Sequence, residues 1–345
     1  MKVIRSLFEK VISVENLYRA SLAAARGRRY REPTADFHFH REAQVHRLRE
    51  ELLSRTYRHG PYRRFTVFEP KERQVAAAAF RDRVVHHALH DVVEPLIDRT
   101  FIFDSYACRK GKGTHQALDR AQHFLRANRF YLHGDIRRYF ASIDPQVLLE
   151  LIERRVQDEG VLWLIRDIVR SSPAPVGLPI GNLTSQFFAN LYLNELDGFV
   201  KERLGVRYYL RYMDDFLLFA QSREELAAWK NEITAFLREN LRLALHDGKT
   251  RLAPVREGVS FLGFRLFRDY RRLRTDNVSR FRRRLRLLRA GRKAGIFRPD
   301  AVRLSIDCWV SHSSYAQTKG LRLQLFNKRV PAPAPVSVVA EGVPV

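Results

Sequence analysis

Apolar and polar positions switch between strand and helix periods along this chain, and four stretches carry most of the signal. Val206-Arg207-Tyr208-Tyr209-Leu210-Arg211 and Phe216-Leu217-Leu218-Phe219 flank Tyr212-Met213-Asp214-Asp215. Aromatic and branched residues on both sides of a short acidic tip predict a β-hairpin whose tip presents one or two carboxylates at the edge of a sheet. Tyr131 to Phe140 is a second aromatic and aliphatic segment, with one acid, Asp135, near its end. The loop Gly177 to Gln186 holds two Gly and a Pro, and a helix follows it. Leu183, Phe187 and Leu191 recur there at helical spacing, as do Phe188, Tyr192 and Phe199. Asn182 or Thr184 suits the cap of that helix. Val278, Phe281, Leu285 and Leu288 predict an amphipathic helix with an Arg-rich outer face. Residues 1–60, with Arg and Glu interleaved, read as helical.

Charge narrows the class of partner. The chain has 62 Lys+Arg against 38 Asp+Glu, a net charge of +24 over 345 residues. That excess favours a polyanion. Arginine peaks at residues 271–293, where Arg280, Arg282, Arg283, Arg284, Arg286 and Arg289 could line a groove for duplex phosphates. A basic amphipathic helix also suits a membrane surface, although no apolar run approaches spanning length. Arg5, Glu9 and Lys10 near the start break any secretory pattern, which points to a cytoplasmic protein with no membrane partner. The two cysteines, Cys108 and Cys308, lie far apart and outside any zinc spacing, as expected in a reducing compartment. The length permits two or three subdomains. The Pro- and Ala-rich residues 331–345 read as a disordered tail.

Two adjacent carboxylates repel unless a cation lies between them, and hard divalent ions take such oxygen ligands. Asp135 and the Asp214-Asp215 pair could together hold two ions, one activating a 3′-hydroxyl and one stabilising a leaving pyrophosphate. Each acid also suits a plainer place, Asp214-Asp215 in a solvated turn and Asp135 at a strand end. The glycine-rich loop running into a helix start permits close approach by a nucleotide, as it does at many junctions that bind nothing.

The order of Asp135 with Phe140, Gly181-x-x-x-Ser185 and Tyr212-Met213-Asp214-Asp215 resembles the central motifs of reverse transcriptases. Glu69-Pro70-Lys71-Glu72-Arg73, Ser105-Tyr106-Ala107-Cys108-Arg109 with Gly113-Thr114-His115, Lys249-Thr250 and Phe261-Leu262-Gly263-Phe264 resemble further motifs in the family's order, so the likeness covers roughly residues 10–330. It implies an α+β right-hand polymerase. Residues 1–60 would be an N-terminal helical extension and 61–134 the fingers. Residues 135–268 would be a palm, an antiparallel sheet flanked by helices, with a helical finger insertion at about 145–190. Residues 269–330 would be a helical thumb. Ile180-Gly181-Asn182-Leu183-Thr184-Ser185-Gln186, with an aliphatic residue before Gly and Gln after Ser, is similar to the variant in diversity-generating retroelements. Ser305-Ile306-Asp307-Cys308-Trp309-Val310-Ser311-His312 resembles their thumb.

That narrower likeness implies a bacterial or phage RNA-directed DNA polymerase, a nucleotidyltransferase copying a template-repeat RNA into cDNA with adenine-directed mutagenesis. The implied partners are template RNA, a DNA or RNA primer, deoxynucleoside triphosphates and a small accessory protein. The implied cofactor is two Mg²⁺ ions, or Mn²⁺ in their place. Another bacterial class, such as a group II intron relative, a retron or a defence system, is the alternative. A dead polymerase fold that only binds RNA is a third reading, against which all three carboxylates stand. Within the resemblance Asp135, Asp214 and Asp215 are the catalytic metal ligands, with a backbone carbonyl from Ile136. Lys71 and Arg73 meet the triphosphate, or are exposed charges. Phe140 holds the sugar and excludes a 2′-hydroxyl, or is a core residue. Ile180 and Gly181 touch the nucleotide or template base, Ile180 alternatively only packing its loop. Tyr212 and Met213 sit near the primer terminus. Lys249 protonates pyrophosphate or neutralises charge. Arg280, Arg282, Arg283 and Arg286 bind the nucleic acid. Asp144, before Pro145, reads as a helix cap rather than a catalyst.

Overall fold

The computed structural model describes residues 7–27, 29–68 and 72–326. Four helices come first: α1 (Phe8–Val11), α2 (Val14–Ala24), α3 (Glu32–Phe39) and α4 (Arg41–Leu53). A hairpin of β1 (Arg63–Val67) and β2 (Arg73–Ala77) follows, then α5 (Phe80–Asp98), α6 (Thr114–Ala127) and β3 (Phe130–Asp135). Next come α7 (Tyr139–Ser142), α8 (Pro145–Glu153), α9 (Glu159–Arg170) and α10 (Leu183–Gly198), the last running into one π turn. The pair β4 (Tyr208–Tyr212) and β5 (Asp215–Ala220) leads to α11 (Arg223–Leu241) and β6 (Arg251–Pro254). A small sheet of β7 (Val259–Phe261), β8 (Phe264–Leu266) and β9 (Arg271–Leu273) precedes α12 (Thr275–Lys293), α13 (Pro299–Ser314) and α14 (Lys319–Leu325).

Local chemistry sets several helix starts. Asp144 Oδ1 accepts the amides of Gln146 and Val147 at 2.8 and 3.2 Å, so it caps α8 with Pro145 in the first turn. Asp158 caps α9 in the same way, and its other oxygen accepts the amides of Leu7 and Phe8, tying the N-terminal helices to α9. Such caps satisfy amides that the helix cannot.

The sheet that positions the site has strand order β4-β5-β3-β6, all antiparallel. Alternate residues of a strand face opposite sides, and here each side has its own core. Leu132, Phe216 and Leu218 pack with α2, α5 and the helices from α8 to α11. Tyr131, Leu217 and Phe219 pack with α6, the β7–β9 sheet and the C-terminal helices. Gly134 is required by the first core: a Cβ there would lie 2.1 Å from the ring of Phe216. Asp135 pairs in register with Asp215, so these two acids continue the Tyr131 and Phe219 side to the end of the strands.

The predicted hairpin is present, with one carboxylate in its loop. Tyr212 pairs with Asp215, so the two-residue loop is Met213-Asp214, and Asp215 is the first residue of β5. Met213 takes φ 55°. Tight hairpin loops need a positive φ at the first central residue because that twist matches the strands. The acidic pair is therefore split between loop and strand.

The stripe of α12 faces inward through Phe281 and Leu285, and Phe281 stacks on Trp309 of α13 with centroids 3.8 Å apart. Arg282, Arg283 and Arg286 are exposed on its other side. Among the described residues no helix is long and apolar enough to cross a membrane. Both cysteines are free. The tail at 331–345 lies outside the described residues.

Candidate active site

The ends of β3 and β5 and the β4–β5 loop bring Asp135, Asp214 and Asp215 together. The Ile136 amide donates to the Asp214 carbonyl at 3.3 Å, and the Asp135 carbonyl accepts the His246 amide at 2.8 Å. Those bonds fix the strand end against the loop on one side and the 243–250 segment on the other. Asp135 is 8% exposed, and the Lys249 ammonium pairs with its Oδ1. His133, two residues along the same face, holds Asp215 Oδ1 at 2.8 Å through Nε2. Burial, together with the charges of Asp215 and Asp135, pushes the Asp214 carboxyl up to about 6, against the pull of Lys249.

The donor set has the chemistry for a divalent ion: hard oxygens and a carboxylate whose ionisation burial and then its acidic neighbours oppose. As arranged, the acids are divided between Lys249 and His133, and among the described residues no three His, Cys, Asp or Glu side chains form a group that could hold a metal ion.

The loop geometry is fixed from beneath by a fully buried ion pair. Arg211 in β4 and Asp197 in α10 are both 0% exposed. The Arg211 guanidinium donates to Asp197 through Nε at 2.8 Å and Nη2 at 2.6 Å, and Tyr209 donates to the same carboxylate at 2.7 Å. Arg211 Nη1 also donates to the Met213 carbonyl at 3.1 Å and to Asn190 Oδ1 at 3.2 Å. Burial opposes the charge on Arg211, but Asp197 more than offsets it and keeps the guanidinium protonated. Sequence reasoning missed this pair. The available signal was a charged residue inside the aromatic run Tyr208–Tyr212, which a buried strand tolerates only with an acid partner.

The other expected residues fall in two groups around the acids. Tyr212 and Met213 adjoin them, the Tyr212 hydroxyl lying 3.2 Å from Thr114 Oγ1. Phe140 is partly buried against the larger core, and its carbonyl accepts the Leu178 amide at 2.7 Å. Ile180 and Gly181 lie against β2, the strand that starts at exposed Arg73: Ile180 O accepts the Ala76 amide at 2.9 Å. Lys71 lies outside the described residues. Arg280, Arg282, Arg283 and Arg286 sit apart on α12, Arg280 pairing with Asp276. Neither expected cap of α10 acts as one. Asn182 holds the N-cap position but makes no side-chain capping bond, since its amide reaches Ala76 and Ala78 instead. The Thr184 hydroxyl lies 3.3 Å from His86 Nδ1.

Protein YkfC of Escherichia coli K12 is 28% identical over 270 residues, covering 64% of this chain and 70% of YkfC. The group II intron-encoded protein LtrA of Lactococcus lactis is 22% identical over 342 residues, covering 78% of this chain and 56% of LtrA. The apo telomerase of Candida tropicalis aligns at 11% identity with a TM-score of 0.49, over 64% of this chain and 49% of that one. The chain therefore spans little more than half of LtrA. Residues 69–266 match the family described as reverse transcriptase (RNA-dependent DNA polymerase), a span that runs from between β1 and β2 to the end of β8 and includes every acid of the site, and the chain belongs to that family.

Proposed function

We propose that this protein copies an RNA template into cDNA by two-metal nucleotidyl transfer and serves a diversity-generating retroelement. In this reading the β4-β5-β3-β6 sheet is the palm, the β1–β2 hairpin with its neighbouring helices the fingers, and α12–α14 the thumb. Asp135, Asp214 and Asp215, with the Ile136 carbonyl, would hold divalent ions, Mg²⁺ by preference; when bound, such ions acidify the primer 3′-hydroxyl and stabilise the leaving pyrophosphate. His133 and Lys249 orient and neutralise the acids. Lys249 is then positioned to give a proton to the departing pyrophosphate. Tyr212 and Met213 support the primer end, and Arg73 receives the triphosphate. Phe140 presents its ring to the sugar and excludes a 2′-oxygen by contact. The exposed arginines of α12 take the duplex phosphates.

One observation carries the catalytic part: three acids, from β3, from β5 and from the β4–β5 loop, meet at one sheet end, over a buried ion pair that holds the loop. The narrower assignment rests on Ile180 before Gly181 and Gln186 after Ser185. Ile180 cannot form directional bonds, so fidelity at the nascent pair would depend on shape. A small accessory protein completes this reading. The relative LtrA, a group II intron-encoded protein, favours a second, a group II intron-like enzyme. Sequencing cDNA made in vitro on a mixed-base RNA template separates the two. Errors concentrated opposite adenine, and reduced by Ile180→Gln, support diversification; an even, low error spectrum supports the second reading.

A further inference from the structure

The loop before α10 is joined to β2 as though it were a further strand, and one side chain makes most of the join. The Ala76 amide donates to the Ile180 carbonyl at 2.9 Å. Asn182 Nδ2 donates to the Ala76 carbonyl at 3.1 Å, and Asn182 Oδ1 accepts the Ala78 amide at 3.3 Å. Asn182 is 4% exposed and both ends of its amide are used. Between the two anchors Gly181 takes φ 117°, and a Cβ on it would stand 2.7 Å from Val75 Cγ1. The loop backbone therefore lies directly on the strand. An asparagine here gives up the helix cap that its position offers and acts as a surrogate backbone, with one donor and one acceptor at strand spacing.

We propose that Asn182 is a positioning residue that couples Arg73 to Ile180 across the incoming nucleotide. The proposal rests on the catalytic reading above. Arg73 and Ala76 lie on the same strand three residues apart, and Ile180 and Asn182 lie two apart on the loop. In that reading Arg73 meets the triphosphate and Ile180 meets the base pair. The Asn182 amide is what fixes one against the other, so nucleotide affinity depends on a side chain that touches no nucleotide. Arg73 is itself exposed, and the β1–β2 hairpin carries few buried residues. Its position relative to the loop is consequently set by these three bonds more than by packing.

The test uses the full chain with template and a dideoxy-terminated primer, so nucleotide binding is read without chemistry. Asn182→Ala should weaken binding of the complementary deoxynucleoside triphosphate about tenfold, the effect of losing one or two buried hydrogen bonds. Template–primer affinity should be unchanged. Asn182→Asp keeps the shape and the acceptor for Ala78 but sets an oxygen against the Ala76 carbonyl. Its nucleotide affinity relative to wild type should fall at neutral pH and recover as pH drops and the introduced carboxyl gains a proton to donate. Asn182→Ala should show no such recovery. Amide exchange of Ala78, whose acceptor is the Asn182 side chain, should lose protection in Asn182→Ala when read in the same proteins. If wild type binds the nucleotide and both variants match it, the positioning role is overturned while the catalytic reading stands. If the two variants lose affinity equally at every pH, Asn182 is only a packing residue and the proposal also falls. A wild-type complex that binds no nucleotide overturns both.

Discussion

Removing Asp197 should uncouple the acidic loop from its support. Asp197→Ala leaves the Arg211 guanidinium 0% exposed without its counter-charge and takes away three bonds, two from Arg211 and one from Tyr209. Breaking one side of a buried ion pair costs about 3–5 kcal/mol, since the remaining charge has neither water nor partner. In a chain this long, roughly 2 °C of melting temperature accompanies each kcal/mol, so the midpoint should fall by about 6–10 °C. Replacing both partners, Asp197→Leu with Arg211→Met, should recover most of that loss, because no charge is then stranded. The double variant should nevertheless stay impaired in primer extension. The Met213 carbonyl has lost the Arg211 donor that sets the loop beneath Asp214. Thermal unfolding by circular dichroism and steady-state primer extension at matched temperature read the two effects separately. A midpoint for Asp197→Ala within about 2 °C of wild type, equivalent to less than ~1 kcal/mol, would refute the reasoning. So would a double variant with full activity.

Binding to template–primer should weaken steeply with salt, by about 0.9 in log K per log salt for each phosphate neutralised. Changing Arg282, Arg283 and Arg286 to Gln should flatten that slope in a filter-binding titration, and an unchanged slope would move the nucleic acid elsewhere. Phe140→Ala should raise ribonucleotide incorporation relative to deoxynucleotide in single-nucleotide assays; an unchanged ratio assigns the gate to another residue. Stability should fall with acid through His86. Burial first, then the neighbouring His59, His87 and Arg83, pulls its imidazole down to about 3 from 6.5. The unfolded chain therefore binds the proton first, so this contribution is full above 6.5 and is lost as pH falls toward 3. The slope is about 1.4 kcal/mol per pH unit across that window, and urea unfolding of His86→Gln should be flatter there than wild type.

Elements with a clear period were legible in the sequence. The β4–β5 hairpin, the β3 segment, the helix after the glycine loop and the Arg-faced α12 all form, with Phe187, Phe188, Leu191 and Tyr192 buried in α10 and Phe281 and Leu285 buried in α12. The β1–β2 hairpin was not, because its residues are mostly exposed and carry no alternation. Nor was the β7–β9 sheet, whose strands are three residues each. The acids were legible as types, but their partners were not: Lys249 lies 114 positions from Asp135, and His133 lies 82 from Asp215. The expected Asn182 cap failed for the same reason. Local preference favoured the helix end, and Ala76, 106 positions away, offered the buried side chain a better use. Whether the hairpin tip holds one carboxylate or two was not legible, because either placement of Asp214-Asp215 fits the apolar pattern, and only the cross-strand register decides it.

The most direct measurement is metal-dependent primer extension by Asp214→Asn on an RNA template. The amide keeps the shape of the loop residue and removes its charge. With folding and RNA binding near wild type, extension should fall by roughly a thousandfold, the loss of several kcal/mol of charge stabilisation, and Asp135→Asn should behave alike. Near-normal extension by the folded Asp214→Asn protein would contradict the assignment of this sheet end as the polymerase centre.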